Sequence, residues 1–78
     1  MKKAPRGAEL IGRCLFHDQK LNEDGYNYYG YLSRQGDYFI MREKTDESEI
    51  RFAYDETRTY QEAFIARATL DYKYINEF

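Results

Sequence analysis

The sequence predicts a small α+β protein, an antiparallel β-sheet built on a three-stranded meander, flanked by N-terminal and C-terminal strands and carrying one short helix. Three observations predict it. Residues 26–55 hold three apolar runs separated by two polar turns, the last run alternates with a period of two, and Thr59-Tyr60-Gln61-Glu62 has the spacing of a helix capping box.

In chain order, residues 1–8 form a basic arm with Pro5 and Gly7 and nothing to bury, expected to be mobile on its own. Residues 9–78 are one domain. Residues 9–16 place Leu10, Cys14 and Phe16 on one side and Ile11 and Leu15 on the other; this reads as a strand, although so short a run also fits a short helix. Residues 17–25 read as a polar connection. Counting a calcium loop with Gly25 at its sixth position puts Lys20 first and Tyr31 twelfth, and neither residue suits calcium.

The run from Tyr26 to Leu32 places Tyr26, Tyr28 and Leu32 on one face and Tyr29 and Tyr31 on the other. Gly30 leaves a gap of the kind that marks a bulge or a close approach. Ser33-Arg34-Gln35-Gly36-Asp37 supplies the glycine that a hairpin loop needs for a positive φ. Tyr38-Phe39-Ile40-Met41 is apolar on both faces and belongs at the centre of the sheet, before Arg42-Glu43-Lys44 runs into water. After Thr45-Asp46-Glu47-Ser48, read as a type I turn, Ile50, Phe52 and Tyr54 alternate with Glu49, Arg51, Ala53 and Asp55, so the first three face the core. The helix starts at Tyr60 with Tyr60, Ala63, Phe64 and Ala68 as its packing stripe. From Thr69 the period-two pattern of Leu70, Tyr72 and Tyr74 predicts a closing strand; the competing reading is one helix over residues 60–76.

A chain of 78 residues buries only about 60% of its unfolded surface, so the core is thin. The single Cys14 excludes an intrachain disulfide, and with His17 it falls short of a zinc set, so no cofactor or metal is expected. Association with copies of itself or docking on a larger partner is the remaining support. Charge is uneven: residues 1–20 carry five basic against two acidic residues, whereas residues 43–56 carry six acidic against two basic. No apolar run approaches the roughly 18 residues of a membrane span and the basic start lacks a signal-peptide core, so a soluble, intracellular protein is expected.

Nine tyrosines and five phenylalanines are the compositional outlier. Stacking on single-stranded nucleic acid would need a basic groove beside them, but the later strands are acidic, which leaves only the basic arm for that role. Tyrosine fills a thin core and a protein interface equally well. The candidate partner-binding residues are therefore Tyr28, Tyr29, Tyr31, Tyr38, Tyr72 and Tyr74, with Glu47, Glu49 and Asp55 as an acidic sheet face. Cys14 and His17 fall on opposite faces of a strand, and no nucleophile, base and pocket set emerges, so no enzyme is expected.

Tyr29-Gly30-Tyr31, Tyr38-Phe39-Ile40-Met41-Arg42, Arg51-Phe52-Ala53-Tyr54, Ala63-Phe64 and Arg67-Ala68-Thr69-Leu70-Asp71-Tyr72-Lys73-Tyr74 resemble segments of small proteins encoded by tailed bacteriophages. Phe64 stands where those segments commonly carry Trp, and the resemblance runs from Tyr28 onward. It implies a virion-associated structural protein that makes protein-protein contacts in a capsid, neck or tail, as repeated copies or on a larger virion protein. The alternative is a small phage inhibitor that binds a host protein or defence complex through the acidic face.

Overall fold

The computed structural model describes residues 12–74. The expected basic arm, the start of the expected first strand at residues 9–11, and the tail beyond Tyr74 lie outside the described residues. Four strands, β1 (Leu15–Glu23), β2 (Tyr26–Leu32), β3 (Tyr38–Lys44) and β4 (Ile50–Ala53), form one sheet in the order β1-β2-β3-β4, each antiparallel to the next. One short helix, α1 (Tyr60–Ile65), and a 3-10 turn (Arg67–Thr69) follow. This is a small α+β fold.

The first strand differs from expectation. Gly12 and Arg13 are helical, and the strand occupies Leu15–Glu23, most of which reads as a polar connection in the sequence. The turn is the cause. Asp24 (φ 50°) and Gly25 (φ 84°) form a two-residue loop of positive φ between the paired residues Glu23 and Tyr26, the geometry that matches strand twist in a tight hairpin. β1 is an edge strand exposed along nearly its whole length, so no apolar alternation is required of it. Two register shifts, between Phe16 and Asp18 and between Lys20 and Glu23, bend it. The second holds Asn22 at φ 56°, where its backbone N–H donates to Asn27 Oδ1 at 2.9 Å.

The other connections follow their residues. In the β2–β3 loop Gly36 takes φ 92°, the Ser33 N–H donates to the Asp37 carbonyl (2.7 Å), and the Asp37 N–H donates to Ser33 Oγ (2.9 Å). Arg13 Nη1 reaches the buried Asp37 carboxylate at 3.0 Å, tying the start of the described chain to this loop. The β3–β4 turn has no glycine and places Glu47 at φ 65°.

Register divides the sheet into two unlike faces. On one lie Tyr26, Tyr28, Gly30 and Leu32 of β2, paired with Lys44, Arg42, Ile40 and Tyr38 of β3; Ala53 and Arg51 of β4 continue it. α1 packs here. Thr59 Oγ1 accepts from the Glu62 N–H (3.2 Å) and Glu62 Oε1 accepts from the Thr59 N–H (2.9 Å), which closes the capping box and fixes the helix start. Tyr60 and Ala63 are buried with Tyr28, Tyr38, Ile40, Ala53 and Tyr72 in one cluster. Ile40 has no exposure at all, and its burial is worth about 1.5–3 kcal/mol. The gap at Gly30 is filled by Tyr60: a Cβ there would sit against the Tyr60 hydroxyl and 2.8 Å from two ring carbons. Ala68, expected in the packing stripe, is instead exposed, because the backbone tightens into the 3-10 turn at Arg67.

The expected closing strand reduces to a single bridge. Lys73 and Phe52 exchange two backbone hydrogen bonds of 2.7 Å. Tyr72 is drawn into the core, and its hydroxyl donates to the Arg67 carbonyl (2.8 Å). That inward turn leaves Lys73 as the point where the segment meets the edge of β4.

Candidate functional site

The opposite face of the sheet carries Phe16 of β1, Tyr29 and Tyr31 of β2, Phe39 and Met41 of β3, and Ile50 and Phe52 of β4. No helix lies over it among the described residues. Cys14 and Phe39 are buried at its centre with Tyr31, Met41, Phe52 and Tyr54 packed around them. The Tyr31 ring stacks on Phe39 (4.6 Å, 12°), and Phe16 meets Tyr31 edge-on (5.9 Å) while Phe52 meets Phe39 in the same way (5.7 Å). Phe16 stays 56% exposed and Ile50 43%. Cys14, Tyr31, Phe39, Met41 and Phe52 line a shallow hollow of about 190 Å³. Its chemistry is that of an apolar, aromatic receptor with polar groups at one edge, where Tyr29 Oη donates to Glu43 Oε1 (3.2 Å) and Asn27 Nδ2 donates to the same oxygen (3.3 Å).

Ile50 and Phe52 therefore do not face the main core. The small Ala53, 2% exposed, faces the helix side instead, buried in one cluster with Ala63 and Tyr60. Alternation marked the apolar side of β4 but not which side the helix covers.

The nine candidate residues do not converge. Tyr28, Tyr38 and Tyr72 are core residues of the helix-covered face. Tyr38 Oη donates to the Asp55 carbonyl (2.6 Å), and burial pushes its pKa up to about 12. Tyr29 and Tyr31 lie on the open face, and burial followed by the Glu43 charge raises the Tyr29 pKa. Tyr74 lies beyond the bridge, its ring under the Arg51 guanidinium at 4.5 Å. Glu49 pairs with Arg51 (3.0 Å). The Asp55 carboxylate accepts from Thr57 and from Arg58, and these bonds, Thr57 first, hold its pKa below the usual value. Glu47 alone of the three is exposed, at the turn tip. Phe16, Met41, Ile50 and Phe52 share the open face but are not among the nine; for Ile50 and Phe52 the apolar alternation of β4 is the sequence signal.

On the helix-covered side His17, Asp18 and Tyr60 lie beside a hollow of about 310 Å³ that Gln61, Phe64 and Ile65 complete. His17 Nδ1 lies 3.3 Å from Asp18 Oδ2, and the imidazole packs edge-on against Tyr60 (4.9 Å). Burial, then Asp18, raises the Tyr60 pKa to about 12, so its hydroxyl is a weak acid held against Gly30. Cys14, on the opposite face from His17, has a thiol pushed up by burial and then by Asp37, and Sγ donates to the Asp37 carbonyl (3.6 Å). Among the described residues no group of three or more His, Cys, Asp or Glu side chains is placed to hold a metal, and no helix is long and apolar enough to cross a membrane.

Fold and surface together define a small α+β module with one helix-covered face and an aromatic face that no helix covers among the described residues. No family model, curated protein or solved structure matches the chain.

Proposed function

We propose that this chain is a non-enzymatic structural or assembly protein of a bacteriophage particle, and that its open aromatic sheet face is the surface that contacts another protein. The observation that carries the reading is this face: Tyr31, Phe39, Met41 and Phe52 line a hollow, and Phe16 and Ile50 are exposed on the same face, an aromatic and Met composition characteristic of protein interface cores. Its occupant is a second copy of the chain or a larger virion protein. The resemblance of residues 28–74 to phage-encoded segments supports the setting, a virion or the host cytoplasm during assembly.

Docking through the face suits this sheet better than strand addition at its edge. β1 is bent by two bulges and carries Asp18, Lys20 and Glu23, features that discourage edge-to-edge pairing. The alternative, an inhibitor binding through an acidic face, draws less support, because Glu49 and Asp55 are held by Arg51 and Arg58 within the chain.

Peptide mass spectrometry of gradient-purified particles from the source carrying this gene tests the reading. The chain should be present in a fixed ratio to the major particle proteins. Its absence from particles but abundance in producing cells would remove the structural role and leave the inhibitor.

A further inference from the structure

Near one end the helix-covered face carries a row of side chains in register across all four strands: Lys20, Tyr28, Arg42 and Arg51. Arg42 and Arg51 sit directly opposite each other, and like charges so placed on one sheet face repel. Each guanidinium on this face is stabilised differently. Arg67 forks onto Glu23, with Nε–Oε1 2.9 Å and Nη2–Oε2 2.8 Å, and donates to the Phe64 carbonyl as well. Arg51 holds Glu49 and lies over Tyr74.

Arg42 holds no carboxylate among the described residues. Its guanidinium carbon lies over the Tyr26 ring at 4.5 Å and over the Tyr72 ring at 4.4 Å, and it makes no hydrogen bond or ion pair among the described residues. Both rings lie within cation–π distance of the guanidinium and restrict it, and its N–H groups are left for a ligand. A planar oxyanion approaching in the guanidinium plane accepts two parallel hydrogen bonds and also offsets the repulsion from Arg51.

The geometry points to Arg42 as the receptor for one carboxylate of a partner protein, seated between Tyr26 and Tyr72. The surroundings favour a single carboxylate over a nucleic-acid backbone. Arg67 and Arg51 are already matched by Glu23 and Glu49, so the row offers one unmatched guanidinium and no run of cations to follow a phosphate backbone, and the chain itself carries a net charge of -2. This contact lies on the face opposite the aromatic one and stands on the Arg42 geometry, not on the phage reading.

The test is a titration of the full chain, observed at the arginine Nε–H signals, with the doubly capped peptide acetyl-Gly-Glu-Gly-amide. The expected result is a saturable shift of the Arg42 signal and of the Tyr26 and Tyr72 ring protons, at about 1–100 mM for so small a probe. The Gln counterpart peptide should give no shift. Arg42→Lys keeps the charge but loses the fork and should weaken the response several-fold; Arg42→Gln should abolish it. If Arg42→Gln does not fold, the Lys variant decides. Equal responses to the Glu and Gln peptides, shifts shared evenly with Arg51 and Arg67, or an undiminished response in the Lys variant would overturn the assignment. So would a single-stranded oligonucleotide that saturates the Arg42 shift at lower concentration than the peptide.

Discussion

Replacing Gly30 with Ala tests the packing that joins helix to sheet. The new Cβ would intrude on the Tyr60 hydroxyl and lie 2.8 Å from Cε1 and Cζ of that ring. Tyr60 cannot swing aside freely, because it is 7% exposed and packed against His17, Tyr38 and Phe64. Overpacking of this kind costs about 1–3 kcal/mol, and relief of the glycine's conformational entropy in a strand returns about 0.5–1 kcal/mol. With the hydroxyl and two ring carbons all inside contact distance the upper part of that range applies, about 2–3 kcal/mol, so the net loss is about 1–2.5 kcal/mol, which in a domain of this size lowers Tm by roughly 5–20 °C. Urea and thermal melts followed by far-UV circular dichroism measure it. Tyr60→Phe in the Gly30→Ala background should recover part of the loss, since the hydroxyl is the nearest intruding atom. Tyr60→Phe alone should cost little, because the polar neighbour of that hydroxyl, Asp18, is exposed and turns to water when the hydroxyl is gone. A Gly30→Ala protein that melts at or above the parent would refute the reasoning, since Tyr60 would then not be seated on the sheet.

Three further outcomes are expected. Thr59→Ala removes the reciprocal cap of α1 and should lower stability by about 1 kcal/mol in urea melts, with the strands retained. Glu47→Gly relieves a left-handed backbone and should raise stability by about 0.5–1 kcal/mol; a loss would show that the Glu47 side chain contributes more than its backbone costs. At alkaline pH the buried tyrosines should control unfolding. Folding raises the pKa of Tyr38 and Tyr60 from 10.0 to about 12, and the neutral form is the folded one. Their contribution is whole below pH 10 and is lost as pH rises from 10 toward 12. Tyrosinate absorbance should therefore rise in two stages, the later one together with loss of the circular dichroism signal; a single transition near pH 10 with the fold intact would contradict the burial.

Much of the fold was legible where side chains alternate or cap. β2 occupies its expected residues, β3 runs on through Arg42-Glu43-Lys44, and the Thr59–Glu62 box starts the helix as read. β1 was missed for a physical reason. An exposed edge strand needs only backbone pairing, so His17-Asp18-Gln19-Lys20 leaves no apolar pattern, and the Asp24-Gly25 turn that creates the hairpin sits among polar residues. The tail was ambiguous because Tyr72 serves the core while Lys73 serves the sheet, and one bridge leaves little periodicity. The candidate surface was legible only in part. Composition announced aromatic contacts, but which face the helix covers depends on Ala53, Ala63 and Gly30, small residues whose importance shows only in three dimensions. The stacking of Arg42 depends on the register of β2 against β3 and on the inward turn of Tyr72.

Hydroxyl-radical footprinting of the chain, free and within purified assemblies, tests the central claim most directly. Oxidation of Met41, Tyr31 and Phe52 should fall several-fold on assembly, while Ile65, 81% exposed on the helix, should react equally in both states. Unchanged oxidation of Met41 and Phe52 in the assembled state, with protection confined to other surfaces, would contradict the assignment of the open aromatic face as the contact.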